Sequence, residues 1–200
     1  MSVDERMVHD IVQKVMANMQ ISGSVSGMHG VFKDMNDAIN ASIEAQKKVC
    51  TMTLDQREQI ISLIRKKTHE NAEILANMGV NETGMGNVGD KILKHHLTAD
   101  KVPGTEDIST IAWSGDRGLT LVEMGPFGVI GAITPATNPS ETVICNCIGM
   151  LAGGNTVVFN PHPNAKKTTI YTINMINEAS IEAGGPDNIA VTVEAPTLDT

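Results

Sequence analysis

GVIGAITPATNPSETVICNCIGMLAGGNTVVFNPHP, residues 128–163, is the stretch from which the fold can be read. It opens on the apolar run 129–134, closes on the apolar run 156–159, and holds between them a helical segment over 140–151. Neither run alternates with polar residues, the pattern of strands covered on both faces of a parallel sheet. Downstream, residues 166–183 read as a second helix stopped by Gly184–Gly185, and 189–193 as a third strand. Strand, helix, strand, helix, strand with crossovers of this length is half of a doubly wound α/β fold, so the three strands are expected as parallel neighbours.

Upstream of this unit the pattern changes. In DISTIAWSGDRGLTLVEMGP two β-favouring runs, 108–113 and 119–124, flank the turn-rich SGDRG, which reads as an antiparallel hairpin within a segment 105–125. Residues 31–104 read as helical. Phe32, Met35, Ile39, Ile43 and Val49 keep a helical spacing over 31–48, and a second helix starts near Thr53 with a Thr53–Gln56 capping box. Leu54, Ile60, Ile61, Ile64, Ile74 and Leu75 supply its apolar face, Gly79 and the following NETGMGNVGD interrupt it, and a third helix covers 91–100. Residues 1–20 carry one apolar stripe, Val8, Ile11, Val12, Val15, Met16 and Met19, and 21–30 has the Gly and Ser content of a tether. Such a helix either docks on its own domain or meets a partner.

Composition narrows the function classes. Two hundred residues, 41% hydrophobic and 19% charged, describe a globular chain with a real core. Its 15 Lys and Arg against 23 Asp and Glu give a net charge of -8, which argues against nucleic acid or an anionic membrane as the main partner. No apolar run approaches the ~20 residues that cross a bilayer, and no signal-peptide pattern opens the chain, so a cytoplasmic protein is expected. Three cysteines, with Cys145 and Cys147 two positions apart and no nearby histidines, are a poor zinc set, and no metal is expected. Twelve methionines against one Trp, one Tyr and three Phe point to an aliphatic and thioether core, with a methionine-rich groove as the alternative.

The candidate site residues sit in the two loops that follow the first two strands, where open α/β sheets bind ligands. In TPATNPSE, Asn138 is either a helix cap, a task Ser140 also suits, or a neutral donor to a developing oxyanion. There is no GxGxxG, so an ordinary pyrophosphate cradle is not encoded here. In VVFNPHPNAKKT, Asn160, Pro161 and His162 form a proline-stiffened turn in which His162 is a general base, a ribose partner or an exposed loop residue. Cys145 and Cys147 lie inside the helix, and at least one should face the core, where a thiol is quiet. His95–His96 and the Arg65–Lys67 run read as solvated helix surface.

With ETGMG at 82–86, the pair Asp90–Lys91, the whole block 125–168 and the ending VTVEAPT, the sequence closely resembles the N-terminal part of the coenzyme-A-acylating aldehyde dehydrogenases. Within that family it is most similar to the propionaldehyde and acetaldehyde enzymes of bacterial microcompartments. The resemblance covers essentially all 200 residues. It implies an α/β fold of aldehyde dehydrogenase type, with N-terminal helices, a hairpin from an oligomerisation element and the first half of an NAD-binding domain over 126–200. It also implies NAD as cofactor and coenzyme A as acyl acceptor, with a cysteine thiolate attacking a short-chain aldehyde. Asn138 then matches the oxyanion-hole asparagine, Thr134, Pro135, Ala136 and Thr137 line the nicotinamide side, and Asn160, Pro161 and His162 run past the adenosine ribose. The Lys and Ser-Glu of hydrolytic relatives are replaced here by Asn160, His162 and Pro163, as in the acylating branch, while Asn87 and Gly89 stand where relatives carry Arg and an acid. A homo-oligomer, dimer or tetramer, and a shell protein bound through residues 1–20 are the implied partners. The family's nucleophile falls beyond residue 200, so the chain alone is expected to be inactive. A noncatalytic scaffold or shell-binding adaptor is the rival reading, and a nonacylating dehydrogenase a weaker one.

Overall fold

In a computed structural model the described residues are 27–197; the helix expected over 1–20 and most of the 21–30 tether lie outside them. The chain runs β1 (Val31–Phe32), α1 (Met35–Val49), α2 (Leu54–Thr83), α3 (Val88–Lys101), β2 (Ile111–Gly115), β3 (Gly118–Val122), β4 (Val129–Thr134), α4 (Pro139–Ala152), β5 (Thr156–Pro161), α5 (Lys166–Glu182) and β6 (Ala190–Val193). The sheet has the order β1-β6-β5-β4. Every neighbouring pair is parallel, as expected for the three apolar runs.

The side chains of β5 divide between the two faces. Val157 and Phe159 pack with Ile60, Ile61 and Ile64 of α2, Ile144 and Ile148 of α4, and Ile173 and Ile176 of α5. Val158 points the other way and joins Val191, Phe32, Ala38 and Ala41 under α1. Successive strand residues face opposite sides, so covering both faces turns a half-buried alternating strand into a continuous apolar run. Each fully buried Ile or Phe here contributes about 1.5–3 kcal/mol.

Local signals explain the helix ends. Thr53 Oγ1 accepts from Gln56 N at 3.2 Å while Gln56 Oε1 accepts from Thr53 N at 2.9 Å, the capping box read from the sequence. The helix does not break at Gly79, however; it continues to Thr83 and ends where Gly84 turns left-handed at φ 68°. Gly79 lies against the Lys91 stem, which comes within 3.8 Å of where a Cβ would stand, an ordinary contact distance.

Three further expectations are corrected. Val31 and Phe32 are not helical: they pair with Thr192 and Val193, and α1 starts only after Asp34, whose carboxylate accepts from Asn36 N. The β4 strand is not buried throughout, because it lies at the sheet edge beside β5 and Ile133 is 88% exposed. The Arg65–Lys67 run is not a solvated face. Arg65 donates to the carbonyls of Ala99 and Val102 at the end of α3 and to Glu106, and Lys67 pairs with Glu182 at 2.9 Å; of the three only Lys66 reads as expected.

The expected hairpin forms from β2 and β3, shifted inward, with Gly115 opposite Gly118 across Asp116–Arg117. All ten of its strand residues are exposed, including Trp113 and Leu121. Among the described residues no helix is long and apolar enough to cross a membrane.

Candidate functional site

Thr134 and Pro161 are register partners that close the carboxyl end of the β4–β5 pair, and His162 N donates to Thr134 O at 3.1 Å just beyond it. At the start of β4, Asn155 Oδ1 accepts from both Phe127 N and Gly128 N, so the strand is anchored at both ends. Among the described residues, Thr134 Oγ1 and Asn160 Oδ1 are buried and have no hydrogen-bond partner. Four other buried side-chain atoms, Gln46 Oε1, Arg57 Nε, Thr169 Oγ1 and Thr192 Oγ1, also lack a partner, but these two stand together at the carboxyl edge of a parallel sheet, the place where open α/β sheets bind ligands. These orphaned atoms fit a hydroxyl-rich dinucleotide. The residues available to hold it are Thr134, Pro135, Ala136 and Thr137 from one loop and Asn160, Pro161 and His162 from the other.

The second loop is held largely by its own residues. His162 Nδ1 accepts from Asn164 N at 3.1 Å, opening a short 3-10 turn over Pro163–Ala165. An accepting Nδ1 carries no proton, which leaves Nε2 as the ring's donor position. Asn160 Nδ2 donates to Thr197 O at 3.3 Å. Where α5 begins, Glu82 at the end of α2 accepts from Lys167 N, Thr168 N and Thr168 Oγ1, an anion at a helix N-terminus.

The first loop is held from outside. Asn138 stands at the N-cap of α4, yet its side chain makes no capping bond; only its carbonyl takes part, accepting from Thr142 N. Instead Asn138 Oδ1 accepts from Lys94 Nζ at 2.8 Å. An ammonium can only donate, so the amide orientation follows, and Nδ2 is the end left to meet a ligand. Beneath, Lys91 Nζ donates to Thr137 O at 3.0 Å and to Glu141 at 3.3 Å, with Lys91 4% and Glu141 5% exposed.

His95 completes this polar cluster and corrects the reading of His95–His96 as helix surface. His95 is fully buried, with Nδ1 donating to Lys91 O at 2.7 Å and Nε2 at 2.8 Å from Ser140 Oγ. Burial pushes its pKa down, against the raising effects of the Glu141 charge and the Lys91 carbonyl. With Nδ1 donating, a neutral ring offers Nε2 as an acceptor to the Ser140 hydroxyl, whose single proton is shared between that nitrogen and Glu141 Oε2 at 3.2 Å. His96 turns outward and stacks on His69 of α2, ring centroids 4.9 Å apart. Lys91, Lys94, His95 and Glu82 all escaped sequence reasoning about the site; the only trace was that ETGMG and Asp90–Lys91 lay within the recognised pattern.

The thiols are quiet. Cys147 is buried and burial drives its pKa up, while Cys145, half-buried, is raised by burial against a hydrogen bond with Thr98. Neither is prepared to act as a thiolate. Asn87, set aside in the motif, caps α3 by accepting from Asp90 N at 2.9 Å. No three His, Cys, Asp or Glu side chains converge on a metal position among the described residues.

The chain belongs to the aldehyde dehydrogenase family, whose model matches residues 16–197. It is 46% identical over 204 residues to an acetaldehyde dehydrogenase (acetylating) of Bilophila wadsworthia, covering 98% of this chain and 42% of that protein. Among solved structures it is similar to a propionaldehyde dehydrogenase from the fucose utilisation microcompartment of Clostridium phytofermentans, with a TM-score of 0.84, 73% identity, and coverage of 86% of this chain and 39% of that one. A propionaldehyde dehydrogenase of Rhodopseudomonas palustris with bound CoA and an acylated cysteine matches at 46% identity and a TM-score of 0.82, over 85% of this chain and 39% of that one. The chain thus spans about two-fifths of the length of the relatives it matches.

Proposed function

We propose that this chain serves as the N-terminal portion of a CoA-acylating aldehyde dehydrogenase, which oxidises propionaldehyde or acetaldehyde to the acyl-CoA with NAD+ inside a microcompartment of the bacterial cytoplasm. The observation that carries this reading is Asn138, whose Oδ1 is taken by Lys94 and whose Nδ2 is left as a donor beside the sheet edge. When bound, NAD accepts the hydride and coenzyme A takes up the acyl group. Asn138 Nδ2 donates to the oxygen that becomes negative when a thiolate adds to the aldehyde carbonyl. Thr134 Oγ1, Asn160 and the His162 Nε2–H supply polar contacts for the dinucleotide.

The exposed apolar hairpin, with Leu119 at 65% and Trp113 at 58% exposure, supports self-association into a dimer or tetramer. The apolar stripe of residues 1–20 serves as the address to a shell protein. Deleting 1–20 is expected to abolish co-sedimentation of the complete enzyme with shells while leaving specific activity unchanged; sedimentation that persists rejects the address.

The central test is Asn138→Ala in the complete enzyme. Loss of one oxyanion donor lowers single-turnover NADH formation roughly a hundredfold, about 3 kcal/mol, with little change in NAD+ affinity. Since the Asn138 side chain makes no capping bond, thermal stability should stay close to that of the parent. An unchanged single-turnover rate at saturating aldehyde and NAD+ rejects the oxyanion role.

A further inference from the structure

Lys91 is an ammonium buried to 4% exposure on a helix that has solvent on its other side. Burying a charge is costly, and a buried ion pair is seldom more stable than an apolar pair of the same shape, so stability alone accounts poorly for this one. Its geometry indicates a different task. The contact with Glu141, at 3.3 Å, is longer than an optimal charge-assisted hydrogen bond, whereas the bond to the Thr137 carbonyl is 3.0 Å. That carbonyl belongs to the planar peptide unit ending at Asn138 N, so holding it also sets the start of the Asn138 main chain. One helical turn along the same face of α3, Lys94 takes Asn138 Oδ1 at 2.8 Å. One lysine thus grips the main chain before Asn138, and the other grips its side chain.

Two glycines line the Lys91 stem at ordinary contact distance. Gly86, at φ 77°, would bring a Cβ to 3.4 Å from Lys91 Cε, and Gly79 lies 3.8 Å from Lys91 Cδ and Cε by the same measure. The lysine stem passes between two glycines on its way to the loop.

We propose that Lys91 and Lys94 are paired positioning residues for Asn138, Lys91 fixing the peptide unit that precedes it and Lys94 turning its amide so that Nδ2 faces the reacting oxygen. This rests on the oxyanion reading of Asn138. Glu141 neutralises Lys91 within the cluster, and neither lysine touches the substrate.

The test uses the complete enzyme carrying Lys91→Met with Glu141→Gln, which removes both buried charges together so that neither is stranded, and separately Lys94→Met. Each is also combined with Asn138→Ala. In the parent background each change is expected to lower single-turnover NADH formation roughly tenfold with the NAD+ KM within about twofold, because a misplaced donor loses transition-state contact without losing cofactor. On the Asn138→Ala background the same changes should cost less than about twofold, since residues acting through one group are not additive. Equal losses in both backgrounds, or no loss in the parent, overturn the proposal. Amide hydrogen exchange across 134–142 supplies a readout independent of chemistry. It should quicken in the Lys91→Met/Glu141→Gln protein while the other segments hold, and unchanged exchange there also overturns the proposal. If Asn138→Ala alone leaves the rate intact while exchange quickens as expected, the oxyanion reading fails and the positioning of the loop stands.

Discussion

The loops after β4 and β5 leave the same sheet edge and are held in opposite ways. The first, Thr134 to Asn138, is gripped by two cations from α3 that bond its acceptors, the Thr137 carbonyl and Asn138 Oδ1. The second is braced by its own prolines and the His162 ring, and an anion, Glu82, meets the N–H groups of the helix that follows. Cations occupy acceptors and leave a donor free; the anion occupies donors. The first loop is thus left with an amide donor, Asn138 Nδ2, and the cations that leave it so come from a separate helix.

The sharpest way to break this contrast is Lys91→Met alone. It strands the Glu141 carboxylate, 5% exposed, without its partner, and should cost about 3–5 kcal/mol in urea unfolding. Equal stability of this variant and the parent would mean that α3 does not hold the first loop. Next in size is Glu82→Ala, which removes three hydrogen bonds at the start of α5 and is expected to cost about 1–2 kcal/mol by the same measurement. It should leave exchange in the first loop unchanged, and coupling between the two would erase the distinction.

The smallest expected effect is one of pH. Burial holds the His95 pKa below its ordinary value, so on acidification the unfolded chain takes up this proton before the folded chain does. Stability should therefore decline as pH falls below about 6.5 and level off once the lowered folded value is passed. Unfolding free energies measured across pH 5–8 should show this slope in the parent and lose it in His95→Gln. An identical pH dependence in both would place the His95 ring in contact with water.

What the sequence disclosed and what it hid divide along the range of the interactions involved. The Thr53–Gln56 capping box spans three residues and was read outright. The runs that became β4, β5 and β6 announced themselves because burial on two faces leaves a continuous apolar signature. Val31 and Phe32 gave no such sign, since two residues have no period, and only pairing with Thr192 and Val193 makes them a strand. Ile133 was misjudged because an apolar residue on an edge strand reads the same as one inside. In the site, the loops after the strands were legible from topology. The lysines that hold Asn138 were not, because a lysine on a helix reads as solvated until the packing of α3 on α4 is known. His95 was misread for the same reason.

The pairing of β1 with β6 also bears on how the chain acquires its shape as it is made. Val31 leaves the ribosome about 160 residues before its partner Thr192, and at elongation speeds of roughly 5–20 residues per second that separation lasts about 8–30 s. Throughout that interval the Phe32, Ala38 and Ala41 cluster lacks Val191, the β6 member of its core. The β1–β6 pair can form only when β6 arrives, so a segment made early finds its strand partner late. Until then its apolar face stays without that cover.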